Sequence, residues 1–127
     1  MVSEQSSILL FIYNANSGLG NAMLDSAHKI VDPATYACSL CQLTYGTFRE
    51  KKRWKNFREQ FHLPMTFLHK DEFFKAFKSI DQAAIELPII YKVENESLEI
   101  LVEASELNKL KNESELIDMI KDRVPAI

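Results

Sequence analysis

Cysteine, glycine and long apolar stretches are scarce in this chain, and each scarcity removes a class of protein. Two cysteines in 127 residues cannot make a disulfide framework or a self-contained four-cysteine metal site. The longest apolar run, Ile8 to Tyr13, is six residues, where a helix crossing a bilayer needs roughly 20. No lysine or arginine precedes that run, and the one charged side chain before it is Glu4, the wrong sign for a secretory leader. No Gly/Ser linker, low-complexity stretch or internal repeat marks a domain boundary. A phosphate-cradling G-x-x-x-x-G-K-[ST] is also missing, and with it the lysine and Mg²⁺-binding hydroxyl of a P-loop nucleotidase. The expectation is one domain over residues 1–127, cytoplasmic and without a membrane partner.

What is present supports a folded domain. Hydrophobic residues make up 46% of the chain and charged residues 26%, enough apolar surface for a core and too little charge for global disorder. The net charge of −3 is unevenly placed: residues 1–70 balance at +3 and residues 71–127 at −6. The basic excess lies in Arg49, Lys51, Lys52, Arg53, Lys55 and Arg58, interleaved with Phe48, Trp54, Phe57 and Phe61. Basic residues among aromatics can bind nucleic acid, but a pI of about 5.6 argues against such a partner. The expected reading is a solvated helix with its aromatics turned to the core.

Hydrophobic patterning predicts an alternating order of elements. Ser7 to Tyr13 reads as a buried strand, followed by the loop from Asn14 to Gly20 and a helix from Asn21 to Val31 that stops at Asp32-Pro33. Tyr36 to Tyr45 has helical character, with Gly46 as a C-cap. Thr47 and Glu50 fit a capping box opening a helix through about Phe61. Met65 to His69 is a second strand, and Asp71 is expected to cap a short helix buried through Phe73, Phe74 and Phe77. Ile89 to Val93 and Leu98 to Glu103 form a hairpin around Glu94 to Ser97. Ser105 or Asn112 starts a last helix with Leu116, Ile117, Ile120 and Val124 as its buried stripe. Strands separated by helices imply a parallel pair, and the late hairpin adds antiparallel edges, so the class is α/β.

Cys38-Ser39-Leu40-Cys41 is the chemistry-bearing motif. A disulfide across so short a loop does little to staple a fold, so a redox pair or part of a metal site is the more natural use. The metal alternative is zinc, held by Cys38 and Cys41 with His28 and Asp25, which lie at i and i+3 of one expected helix face. A third alternative is that both cysteines are buried and reduced, packing as small hydrophobes. The loop after the first strand, with Asn14, Asn16, Ser17, Gly18 and Gly20, is a candidate ligand-binding segment, because free N–H groups between a strand and a helix can cradle a phosphate or carboxylate. Its glycines also suit a tight turn.

The strand Ile8-Leu9-Leu10-Phe11-Ile12, the Cys38–Cys41 pair and Leu87-Pro88-Ile89-Ile90 before a hairpin and terminal helix together resemble the thioredoxin-like fold. That resemblance implies a three-layer sandwich with a mixed central sheet of about four strands and flanking helices. It also implies thiol–disulfide oxidoreductase activity without a cofactor, and a cis Pro88 packed against the cysteine pair. The spacing between Tyr13 and Cys38 leaves room for an additional loop and helix, and Ser39-Leu40 stands where thioredoxins carry Gly-Pro. In such a site Cys38, at a helix start that lowers its pKa, attacks a substrate disulfide and Cys41 resolves the mixed disulfide. The partner would be a disulfide-containing protein or small molecule held near Asn14–Gly20 and Pro88. The chain also resembles a group of short uncharacterised bacterial proteins through Tyr13-Asn14-Ala15-Asn16-Ser17-Gly18, Asp25-Ser26-Ala27-His28-Lys29 and Leu68-His69-Lys70-Asp71-Glu72-Phe73.

Overall fold

A computed structural model describes residues 7–15, 38–45 and 49–125. Its centre is a four-stranded mixed sheet in the order β2-β1-β3-β4. Strand β1 (Ile8–Ile12) is apolar at every position because it is covered on both faces. Leu9 and Phe11 enter one core cluster, and Leu10 and Ile12 enter another on the opposite face. It pairs in parallel with β2 (Met65–Leu68) and antiparallel with β3 (Ile89–Glu94). Strand β4 (Ser97–Val102) completes the sheet against β3.

The β3–β4 hairpin turns on Asn95 and Glu96, both in the left-handed region with φ of 53° and 69°. That is the backbone a two-residue hairpin turn demands. Ile90 pairs with Val102 but Tyr91 pairs with Ile100, so Leu101 is an extra residue in β4. This bulge accounts for the broken alternation of the return strand.

Helices cover both faces. On the first lie α1 (Ser39–Thr44), α2 (Lys52–Gln60) and, after the short α4 (Ala104–Leu107), α5 (Glu113–Arg123). Leu40, Trp54, Leu116, Ile117 and Ile120 pack there with Leu9 and Phe11. Trp54 meets Phe11 edge-on at 5.6 Å, and Phe11 stacks on Phe67 at 4.7 Å. On the second face, α3 (Lys70–Ala76) buries Phe73 against Leu10, Ile12, Ile89 and Tyr91. The chain is thus an α/β domain with helices flanking a mixed sheet. Among the described residues, no helix is long and apolar enough to cross a membrane.

The helix starts differ from the sequence expectations for identifiable reasons. Helix α2 begins at Lys52 rather than after Thr47, which lies outside the described residues. Glu50 is not its capping acid: it bridges to Tyr45 through the backbone and gives both carboxylate oxygens to Arg58, at 2.6 and 2.7 Å. Helix α3 is capped by His69, not Asp71. The Glu72 carboxylate accepts the His69 N–H at 2.8 Å and lies 2.9 Å from its Nδ1. The two expected starts near the end of the chain reflect two helices. Asn112 caps α5 by accepting from the Glu115 N–H at 3.0 Å, whereas Glu103, one residue before α4, precedes the other. Arg123 then ties α5 back, donating to Glu106 at 2.5 and 2.9 Å and to the Leu101 carbonyl at 2.8 Å.

Candidate functional site

Cys38 stands at the N-cap of α1, with extended backbone (φ −103°, ψ 92°). One turn of helix returns Cys41 to it, so the Cα atoms are 5.3 Å apart and the two sulfurs are joined as a disulfide. The Cys38 sulfur also serves as the cap. It accepts the backbone N–H of Cys41 at 3.2 Å. It accepts a second N–H, that of Asn14, at 3.3 Å. Asn14 lies just past the carboxyl end of β1, so donors from two separate segments converge on one sulfur.

The sheet register brings Pro88 to the same end. Ile89, the first residue of β3, pairs with Ile12, the last of β1. Pro88 therefore stands beside the strand end from which Asn14 reaches Cys38. The peptide bond between Leu87 and Pro88 is cis, and Pro88 is buried. Cys38 has no exposed surface and Cys41 is 2% exposed. Both belong to the core cluster that includes Leu9, Phe11, Tyr13, Trp54 and Ile90. The Ser39 hydroxyl between them is buried and makes no hydrogen bond among the described residues.

A layer of polar and aromatic groups holds α1 in place. The Thr44 hydroxyl donates to the Leu40 carbonyl at 2.9 Å, and Thr44, like Tyr13, is buried. Burial, reinforced by Tyr45, raises the Tyr13 phenol far above its ordinary value, so it stays neutral. Burial raises Tyr45 as well, with Glu50 adding to the shift. Arg58, bound to Glu50, lies 6.0 Å from the centre of the Phe67 ring. Its hydrogen bond to Glu50 raises its pKa further and keeps the guanidinium charged.

Of the residues singled out from sequence, Cys38, Cys41, Asn14 and Pro88 are gathered at one end of the sheet. Asn16, Ser17, Gly18 and Gly20 of the candidate ligand loop lie outside the described residues, as do Asp25, His28 and the expected Asn21–Val31 helix. Among the described residues, no group of three or more His, Cys, Asp or Glu side chains is placed to hold a metal ion. His62 packs on Phe61 at 4.5 Å and His69 serves the α3 cap. Zinc takes thiolates, so Cys38 and Cys41 offer it ligands only once reduced. Tyr13, Thr44, Tyr45, Glu50 and Arg58 were not singled out from sequence as neighbours of the pair. Only the four-residue step from Leu40 to Thr44 was available as a signal, since a helical Thr can bond the carbonyl one turn back.

No family model matches the chain, and no curated protein or solved structure matches it significantly.

Proposed function

We propose that this chain is a thioredoxin-like domain whose Cys38–Cys41 pair exchanges electrons with thiols and disulfides. The observation that carries this reading is the convergence of the Asn14 and Cys41 N–H groups on the Cys38 sulfur. Two N–H donors stabilise an anionic sulfur more than a neutral one, and the thiolate is the form that attacks and leaves in exchange. Further support comes from the sheet order β2-β1-β3-β4 with only β1 and β2 parallel, the pair at a helix start, and Pro88 before β3.

The exchange balances without a cofactor. In the reduced chain, the Cys38 thiolate attacks one sulfur of a disulfide R–S–S–R, forming a mixed disulfide and releasing one thiolate, which takes up a proton. The Cys41 thiol, as it loses its proton, attacks the Cys38 sulfur and releases the second thiol. Two electrons pass to the substrate, leaving the protein disulfide that the structure contains. A dithiol substrate runs the same steps in reverse.

Burial favours a second reading, in which the domain keeps the fold and the pair serves packing. With Cys38 fully buried, a substrate reaches the sulfur only through local opening around it. Equilibration of the intact chain with glutathione mixtures, followed by acid quenching, alkylation and mass measurement, separates the two. The exchange reading expects reversible oxidation and reduction while the chain stays folded. It also expects insulin disulfide reduction that Cys38→Ser abolishes. A disulfide that resists reduction until denaturant unfolds the chain overturns it in favour of the packing role.

A further inference from the structure

A pocket of about 200 Å³ opens between the segment leading into β3 and the turn that follows β4. Ile85, Ile89 and Ile100 give it an apolar wall. Among the described residues, Ile100 is the one large apolar side chain left exposed, at 50%. The polar side chains that line the pocket are Glu86, Glu103 and Ser105, and no cation lines it among the described residues. Neither Glu86 nor Glu103 has an ion-pair partner among the described residues. Glu103 is nonetheless held in place, because its carboxylate accepts the Glu106 N–H at the start of α4. Arg123, which reaches this region at the Leu101 carbonyl, is paired with Glu106. The pocket thus sets two carboxylates over an apolar wall with no cation of its own to answer them.

Its place in the fold ties it to the cysteine pair. Ile89 lines the pocket and pairs with Ile12 at the end of β1. Ile90, the next residue, enters the cluster on the opposite face, which holds Cys38 and Cys41. Pocket and disulfide therefore flank one end of the sheet, and the cis Pro88 stands at the edge between them. We propose that this pocket receives a lysine or arginine side chain of a disulfide-bearing polypeptide, a specificity that rests on the exchange reading of Cys38 and Cys41. Its volume lies below the roughly 300–1,000 Å³ of a small-molecule site and suits a single side chain. A basic side chain has both parts the pocket asks for: a methylene stem to cover Ile89 and Ile100, and a cation to meet Glu86 and Glu103. Layers of a domain pack about 10 Å apart and an extended chain advances about 3.3 Å per residue, so a peptide crossing over Pro88 spans the two positions in about three to five residues. The balance of −6 over residues 71–127 favours the approach of a basic chain.

Peptides carrying one cysteine each, joined as disulfide dimers, test this with the intact chain in its reduced form. A lysine is scanned along either side of the cysteine, and norleucine, which keeps the stem without the charge, replaces it in the control. At the matching position the lysine peptide is reduced about threefold to tenfold faster, a ratio that shrinks with added salt. Glu86 is exposed, so its replacement leaves the core intact. Glu86→Gln lowers the ratio and Glu86→Lys abolishes it. Titration of the oxidised chain with the same peptides, serine replacing cysteine, reads the pocket without any exchange. Tighter binding of the lysine peptide while no disulfide is reduced overturns the exchange reading and supports the pocket. Reduction of lysine and norleucine peptides at one rate, with equal binding, overturns the pocket and leaves the exchange reading standing. A lysine preference that Glu86→Lys leaves unchanged overturns the pocket as well.

Discussion

Asn14 donates its backbone N–H to the sulfur of Cys38 across 3.3 Å, a bond spanning the gap between the end of β1 and the start of α1. Among the described residues that donor serves Cys38 and not Cys41, so the two cysteines are electrostatically unequal. In the reduced chain, iodoacetamide at neutral pH is expected to modify Cys38 several-fold faster than Cys41. Peptide mapping of partly alkylated protein reads the ratio. Equal rates, or Cys41 modified first, would contradict the assignment of Cys38 as the attacking sulfur.

The Glu50–Arg58 pair is a well-formed ion pair near the cysteine helix. It is bidentate and its side chains are 14% and 29% exposed. Such geometry places it above an ordinary surface pair. A double-mutant cycle with Glu50→Gln and Arg58→Gln is expected to give a coupling energy of about 1–2 kcal/mol by urea denaturation. A coupling indistinguishable from zero would reduce the pair to a solvated contact.

The hairpin offers a change in the other direction. Glu96 sits at φ 69° with a Cβ that the left-handed region penalises. Glu96→Gly is expected to stabilise the domain by about 0.5–1 kcal/mol, since glycine at the second position suits this turn. Thermal and urea melts should both shift upward. A downward shift would mean that the Glu96 side chain contributes more than its backbone costs.

Glu106 ties acid stability to the end of the chain. The Arg123 hydrogen bond, helped by the Glu103 N–H, lowers its carboxyl from the ordinary 4.5 to about 2. A carboxyl held lower in the folded chain adds stability that is complete above about pH 4.5 and is lost as the pH falls toward 2. Both side chains are about one-third exposed, so solvent screening limits the contribution to about 1 kcal/mol. Glu106→Gln should remove that part of the acid dependence and leave the remainder. Parallel urea titrations at pH 6 and pH 3 check it, and equal losses at both would exclude the linkage.

The strands were legible because their patterns follow from burial. Ile8 to Ile12 is apolar throughout and lies between two helical layers, and the β3–β4 hairpin surrounds a polar turn. The aromatic stripes were legible in the same way: Trp54 and Phe73 are buried, with Phe57, Phe61, Phe74 and Phe77 half-buried beside them. Helix starts were less legible, because a cap is a competition between groups. Glu50 goes to Arg58, a partner eight residues away, and Glu72 serves His69 instead of leaving Asp71 to cap. The pairing of Cys38 with Cys41 follows from one helical turn and was visible in the spacing. Their complete burial was not, since it depends on chain far away in sequence. The Asn14 N–H is a main-chain donor, and no residue type announces the direction of a peptide group.

The bulge at Leu101 has a protective consequence. A strand at the margin of a sheet is a template on which a stray chain can pair, and β4 is such a margin, with Ile100 half-exposed on it. The extra residue breaks the regular ladder there, and its carbonyl is already held by Arg123. Removing that guanidinium would free an acceptor beside an apolar side chain. Arg123 thereby guards the domain against growth of the sheet from one molecule to the next.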